Sequence, residues 1–440
     1  MTTATTTPAM PRKAVVAVVI GNWLEFYDFI VYTFFAVMIG EAFFPGSNPT
    51  TKLLASLATF GAGFLTRPIG AAIIGAYADR HGRRAALTVT ILLMAVGSAL
   101  VGITPSYDQI GIAAPVILVL ARLIQGFSCG GEVGPATTYL LESAPHRKRA
   151  LFTAWQSYSQ SLAAIVGSLV GLILAATLSK HDLYSWGWRV PFLLGIVIAP
   201  VGLYIRSRLP DTIEKHEAHE STVAVLGHLI RHHFRTVILG IFVVCGGTVS
   251  TYVFNYMNTY AMTTLHLSAT IGTSLTLTGA IASMIGLTIG VWADQFGRKP
   301  VFVGMRLLYV ALTYPAFLLI TAPSSTPALI IGVNMMLNFV SSIATGGLYA
   351  LLSEAFPKAV RSSGVSILYA FSVAIFGATT QFVIAWLIAI TGNALVPGFY
   401  LIVANIVMVV AVILIARHDE VDRELREALA EVAAEGGTGA

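Results

Sequence analysis

Twelve apolar runs, each near the ~20 residues that cross a bilayer as a helix, leave this chain few folds to choose from. They lie near residues 14–40, 53–77, 85–104, 113–141, 151–178 and 190–207, and after a polar interval near 236–260, 270–292, 300–320, 327–352, 363–390 and 396–416. In hydrocarbon every backbone N–H and C=O must find its partner within the chain, so such runs become helices. Composition agrees: apolar residues are 56% of the 440, charged residues 11%, and mean hydropathy is +0.79. That is too little charge to cover soluble domains. The expected architecture is an all-α membrane protein of twelve transmembrane helices in two six-helix halves. Residues 1–13 read as an N-terminal tail, 14–207 as the first bundle, 208–235 as a linker, 236–416 as the second bundle and 417–440 as a C-terminal tail. The first run is too long, and too acidic in its middle, for a signal peptide. Cys129 and Cys245 both lie in apolar runs and suggest no disulfide framework.

Orientation follows from the basic residues. Of the 26 Lys and Arg, only Lys52, Lys180 and Arg189 fall on the loops opposite the termini, and Arg67, Arg122 and Arg306 fall within spans. All others lie on the side of the termini, which places both termini in the cytoplasm. The sequence pI of 9.1 is thereby explained by topology and calls for no nucleic acid. The linker carries His216, His219, His228, His232 and His233 without cysteines or clustered acids, and reads as a solvated surface helix rather than a metal site.

The halves repeat. Gly75, Asp79, Gly82, Arg83 and Arg84 follow span 2, and Gly290, Asp294, Gly297, Arg298 and Lys299 follow span 8 at the same spacing. Glu142, Pro145 and Arg149 follow span 4, and Glu354, Pro357 and Arg361 follow span 10. The first pair resembles the signature loop of the major facilitator superfamily. That resemblance implies a fold of two pseudo-symmetric bundles. It also gives Asp79, Arg83, Asp294 and Arg298, with Glu142, Arg149, Glu354 and Arg361, the role of a conformational latch. Arg122 and Gln125-Gly126 in span 4 resemble the helix motif of proton-coupled members. Gly126, Gly130 and Gly134 there should let a neighbouring helix approach closely.

Gly21-Asn22-Trp23-Leu24-Glu25-Phe26-Tyr27-Asp28, Arg67-Pro68, Gly130-Gly131-Glu132 and Trp186-Gly187-Trp188-Arg189 resemble the metabolite:proton symporters. Phe60 to Ala144 looks most like their citrate and tricarballylate branch. The resemblance implies a secondary transporter in a bacterial-type inner membrane, working as a monomer and without a cofactor. The long coiled-coil tail of the osmolyte carriers is not matched in Arg417–Ala440.

Five ionisable residues lie well inside spans: Glu25, Asp28, Arg67, Arg122 and Glu132. Glu25 and Asp28 share a helical stripe with Gly21 and Tyr32. Each ionised acid costs about 2.5–3.5 kcal/mol near the bilayer centre, so such residues usually mark a pathway. By resemblance to proton-coupled sugar porters, Asp28 and Arg122 form an acid–arginine pair between helices 1 and 4. Glu25 either shares the proton, pairs with Arg67 or supports the site, and Glu132 joins the coupling group. An anionic substrate would compete for the guanidinium and free the carboxylate to take a proton. Arg67 and Arg122 are the expected substrate cations, with Tyr32, Gln156, Gln160, Tyr252, Asn255, Asn258 and Asn338 lining the cavity. The first half thus supplies charge and the second half neutral polar groups. No metal cluster, phosphate loop or catalytic set is present, so no enzyme is expected. The expected activity is proton-coupled import of a small di- or tricarboxylate by alternating access. Import of a zwitterion such as proline or betaine, or of another organic acid, and proton-driven export are the rivals.

Overall fold

The computed structural model describes residues 12–81, 83–130, 149–196, 200, 222–293, 297–346, 348–353, 355 and 361–415. Among them the regular structure is helical. In chain order the helices are α1 Arg12–Phe34, α2 Ala36–Phe43, α3 Pro49–Leu65, α4 Arg67–His81, α5 Arg83–Ile103, α6 Tyr107–Ile110, α7 Ala113–Cys129, α8 Arg149–Thr177 and α9 Lys180–Ser185. The second half holds α10 Thr222–Thr263, α11 Ala269–Ala293, α12 Arg298–Thr321, α13 Pro327–Thr345, α14 Leu348–Ser353, α15 Arg361–Ser372, α16 Ala378–Thr391 and α17 Val396–Leu414. A π turn, Val373–Gly377, joins α15 to α16. Among the described residues eight helices are long and apolar enough to cross a membrane, nine if the bent pair α1–α2 is one span. Two shorter apolar helices, Thr88–Ile103 and Ala113–Cys129, accompany them.

Three spans depart from the smooth rods expected. Span 1 breaks at Phe35, where Glu25–Phe34 and Ala36–Phe43 meet at 71°. Span 2 breaks at Thr66, just before Arg67-Pro68, because proline has no N–H to continue the ladder. The Thr66 hydroxyl donates to Gly63 O (3.1 Å) and Leu123 O (2.8 Å), so the break is tied to α7. Span 7 is longer than expected: α10 begins at Thr222, inside the stretch assigned to the linker.

At Gly126 and Gly130 the expected close approach to span 4 is met by span 2, and Gly134 lies outside the described residues. A Cβ on Gly126 would collide with Gly63 O, one on Gly130 with Arg67 O, and one on Gly70 with Phe127 O. Small residues on both helices let the backbones touch, the usual way helices associate where water provides no driving force. Gly297 has φ +97°, a region open to glycine, and sits at the N-cap of α12.

The Trp186–Phe192 motif is structural. Arg189 donates from Nη1 to Gly102 O (3.0 Å) and Thr104 O (2.5 Å), satisfying carbonyls at the C-terminal end of α5. Trp188 is fully buried against Phe43 and Phe192.

Replacing Gly126 with Ala should destabilise the protein by about 1–3 kcal/mol through overpacking. Gly304→Ala, where nothing lies within 4 Å of the added Cβ, should be neutral or slightly stabilising. Thermal unfolding of the two variants in detergent checks the contrast.

Candidate functional site

The two acids of α1 face different partners. Glu25 Oε1 lies 3.3 Å from Arg67 Nη2, and both side chains are buried. The break at Thr66 sets Arg67 at the start of α4, and the glycine contact with α7 holds it beside Arg122. The expected direct pair between Asp28 and Arg122 is not formed. Ser98 of α5 donates to Asp28 Oδ2, Gln125 Nε2 donates to Ser98 Oγ (3.1 Å), and Arg122 Nη1 donates to Gln125 Oε1 (2.6 Å). Two neutral side chains therefore bridge acid and cation. Ser98 cannot be linked to α1 or α7 by sequence spacing alone, which is why the pair looked direct.

Aromatic rings pack around both guanidiniums. Arg122 lies over Tyr32 (4.5 Å), Phe29 (4.7 Å) and Phe60 (5.1 Å), and Arg67 over Phe64 (4.6 Å) and Phe29 (4.7 Å). Such contacts reach about 2 kcal/mol each when desolvated. They replace part of the hydration lost by cations that cannot lose their proton. Asp28 Oδ1, Arg122 Nε and Nη2 and Arg67 Nε are buried with no hydrogen-bond partner among the described residues. The cluster thus retains both acceptor and donor capacity.

Beside it, between the two halves, is a cavity of about 140 Å³. Gln160 of α8, Tyr252 and Asn255 of α10, and Asn338 of α13 line it as expected, and Gln160 Nε2 has no hydrogen-bond partner. Three of the expected lining residues point elsewhere. Gln156 donates to Asn22 Oδ1 (2.6 Å), and Asn22 returns bonds to Gln156 O and Ser159, locking α8 to α1. Tyr32 donates to Ser56 O (3.1 Å). Asn258 donates to Phe34 O (2.8 Å). In each case a neighbouring helix offers a nearer acceptor than the cavity does. Arg67 and Arg122 also stop short of the cavity wall. Arg67 packs behind Phe64, whose ring meets Tyr252 edge-on at 5.6 Å, and Tyr252 is the lining residue.

Asn258 belongs to a contact between the halves that sequence reasoning missed. At the break in span 1 the last carbonyls of α1 lose their helical donors. The second half supplies two replacements, Asn258 to Phe34 O and Thr259 Oγ1 to Thr33 O (3.3 Å), while Gln381 Nε2 donates to the Thr33 hydroxyl (3.4 Å) and, within its own half, to Tyr252 O (3.2 Å). Thr270 of α11 adds a bond to Ala175 O of α8 (3.4 Å).

Of the remaining expected residues, Glu132, Glu142, Glu354 and Asp294 lie outside the described residues, as do the side chains of Asp79, Arg83, Arg149, Arg298 and Arg361.

A family described as "Sugar (and other) transporter" matches residues 13–228 and again 211–418. The chain belongs to that family. Its fold is that of the major facilitator superfamily, and the protein is a membrane transporter rather than an enzyme. The transporter is 37% identical over 397 residues to the citrate-proton symporter of Klebsiella pneumoniae, covering 89% of each chain. It is 33% identical over 415 residues to the proline/betaine transporter of Escherichia coli strain K12, covering 90% of this chain and 81% of that one. Among solved structures it resembles a D-xylose-proton symporter with a TM-score of 0.72 and 18% identity, over 90% of this chain and 96% of that one. The last likeness speaks to fold alone.

Asn258→Ala should loosen the contact at the α1 break. One interhelical bond in a membrane averages about 0.6 kcal/mol, so the separated population should rise roughly threefold. Pulsed electron spin resonance between labels on exposed Thr50 and Ser268 reads it. An unchanged distance distribution would show that these bonds do not hold the halves together.

Proposed function

We propose that the protein is a proton-coupled symporter that imports a small di- or tricarboxylate, such as citrate or tricarballylate, by alternating access between its two halves. The observation that carries this reading is the buried cluster of Glu25, Asp28, Arg67 and Arg122, with Asp28 joined to Arg122 only through Ser98 and Gln125. Two carboxylates stand against two guanidiniums, so the described cluster is formally neutral. A proton on Asp28 leaves it one charge positive, and a substrate carboxylate restores neutrality. Proton and anion then enter together, since either alone leaves net charge away from water.

Asp28 is the proton carrier in this scheme, Glu25–Arg67 the standing ion pair and Arg122 the cation that answers the change. Gln160, Tyr252, Asn255 and Asn338 offer hydrogen bonds to substrate in the cavity. With both termini in the cytoplasm, the contact at the α1 break lies at the outer end and is closed in this conformation. Rocking of the halves opens it and closes the other end. The aspartates and arginines of the two signature loops, Asp79, Arg83, Asp294 and Arg298, serve that inner end. The citrate-proton symporters among the relatives support the carboxylate reading. The proline/betaine transporters support the second one, a zwitterion carried by the same proton site. Uptake competition with citrate, tricarballylate, proline and betaine, across pH and with an uncoupler, separates the two.

Asp28→Asn should abolish uptake driven by a pH gradient while sparing counterflow exchange in proteoliposomes. Full pH-driven accumulation by that variant removes Asp28 from the mechanism. Arg67→Lys and Arg122→Lys keep the charge but lose the planar fork. Each should weaken citrate binding by roughly tenfold, the lower end for a charge-assisted hydrogen bond. Unchanged affinity in both would place the anion elsewhere.

A further inference from the structure

The second half also contains a buried cation. Arg306 of α12 is fully buried, and its guanidinium is a cation at neutral pH. Nη1 donates to Ser341 Oγ (3.0 Å) and Asn405 Oδ1 (3.1 Å), and Nη2 donates to Thr345 Oγ1 (2.8 Å). All three acceptors are neutral. The rings of Phe302 and Tyr309 lie 5.6 and 5.9 Å from the guanidinium carbon, and Nε is buried with no hydrogen-bond partner. Among the described residues the ion pairs are Lys52–Glu41 and Arg67–Glu25, and no carboxylate lies within 4.0 Å of Arg306. A buried charge without a counter-ion costs several kcal/mol, which hydrogen bonds to neutral groups only partly offset.

The position of Arg306 points to what offsets it. Ser341 and Thr345 both line the cavity between the halves. So does Ser250, whose hydroxyl accepts from Asn405 Nδ2 (3.1 Å), the amide whose oxygen Arg306 holds. One layer of hydroxyls therefore separates the guanidinium from the cavity. Thr345 spends its own O–H on Ser341 O (3.1 Å). Ser341 accepts from Arg306 with its oxygen and has its O–H to donate. A carboxylate in the cavity would accept from Ser341, polarised by the cation behind it. Arg67, the ion-paired cation of the first half, is likewise set back from the cavity, behind Phe64 and the lining residue Tyr252 of α10.

We propose that Arg306, acting with Ser341 and Thr345, is the carboxylate-binding cation of the second half. It takes one carboxylate of the substrate, while the first half takes another. A ligand with two or more carboxylates then bridges the halves, whereas a zwitterion such as proline or betaine has a single carboxylate and can engage only one of them. This assignment rests on the carboxylate reading above and sharpens it from "an anion" to "a polyanion held from both sides".

The test is citrate and tricarballylate binding to the purified full-length protein at fixed pH, for wild type, Arg306→Gln and Ser341→Asp. Ser341→Asp gives Arg306 a built-in counter-ion and preserves the buried network, so it answers if Arg306→Gln fails to fold. Both variants should bind citrate and tricarballylate about 10- to 100-fold more weakly, the loss of one charge-assisted hydrogen bond. Lowered thermal stability with unchanged affinity for both ligands would make Arg306 a structural residue and overturn the proposal alone. Wild-type protein that binds proline or betaine but neither carboxylate would overturn this proposal together with the reading beneath it.

Discussion

Helices α3 and α4 lie against α7 closely enough that carbonyl oxygens fill the space where side chains would be, at Gly63 and Gly126, Gly70 and Phe127, Arg67 and Gly130. The charged site depends on this backbone contact. Arg67 and Arg122 sit on opposite sides of it, so the approach sets the two guanidiniums against the same ring, Phe29 of α1. Like charges this close repel strongly in low dielectric. The repulsion is met by Glu25 on one side, the Asp28 chain on the other and aromatic faces between them. The Thr66 hydroxyl, bonded to both helices, makes the proline-induced break part of the packing. Backbone geometry thus comes first and charge geometry follows from it.

The break in α1 plays the matching role between the halves. A continuous span would have satisfied its own carbonyls and offered nothing to the second half. By turning 71° at Phe35, span 1 exposes Thr33 O and Phe34 O, and α10 supplies the donors. The bonds are few, neutral and individually weak. Such bonds part at less cost than a buried ion pair would, which is what the proposed rocking of the halves asks of this contact. Gln381 ties the same point to the carbonyl of Tyr252, a residue of the cavity wall. The cavity wall and the contact at the α1 break therefore share a hydrogen-bond donor.

Much of this was legible in the sequence, and the illegible part has a pattern. Most of the spans, the glycine contact on span 4, the weak point at Pro68 and the ionisable residues announce themselves locally, through run length, small-residue spacing and charge in an apolar setting. Direction of a polar side chain does not. Gln156, Tyr32 and Asn258 each sit on a plausible cavity-facing stripe, yet each is claimed by a carbonyl or amide on a neighbouring helix. Helical periodicity gives a face, and only the tertiary neighbour decides what that face meets. Ser98 was invisible for the same reason: a serine in an apolar helix carries no mark until Asp28 and Gln125 are packed against it. Arg306 was counted among the intramembrane cations but given no role, because the residues that hold it are scattered over α13 and α17.

The indirect link between Asp28 and Arg122 bears on how coupling can work at all. A bare contact pair in a low-dielectric interior binds its charges so tightly that neither can respond to a proton or a substrate without a large separation cost. Glu25 and Arg67 are of that kind, and so are suited to a fixed part of the site. Asp28 is held through a serine hydroxyl that can reverse its donor, next to a glutamine amide in contact with both serine and arginine. A proton arriving on the open Oδ1 changes the charge felt by Arg122 without first pulling two opposite ions apart. In the proposed scheme a proton on Asp28 then asks for rearranged hydrogen bonds, each worth about 1 kcal/mol net, rather than separation of a contact ion pair. Of the two acids on α1, Glu25 is in contact with a guanidinium, whereas Asp28 reaches its guanidinium only through Ser98 and Gln125.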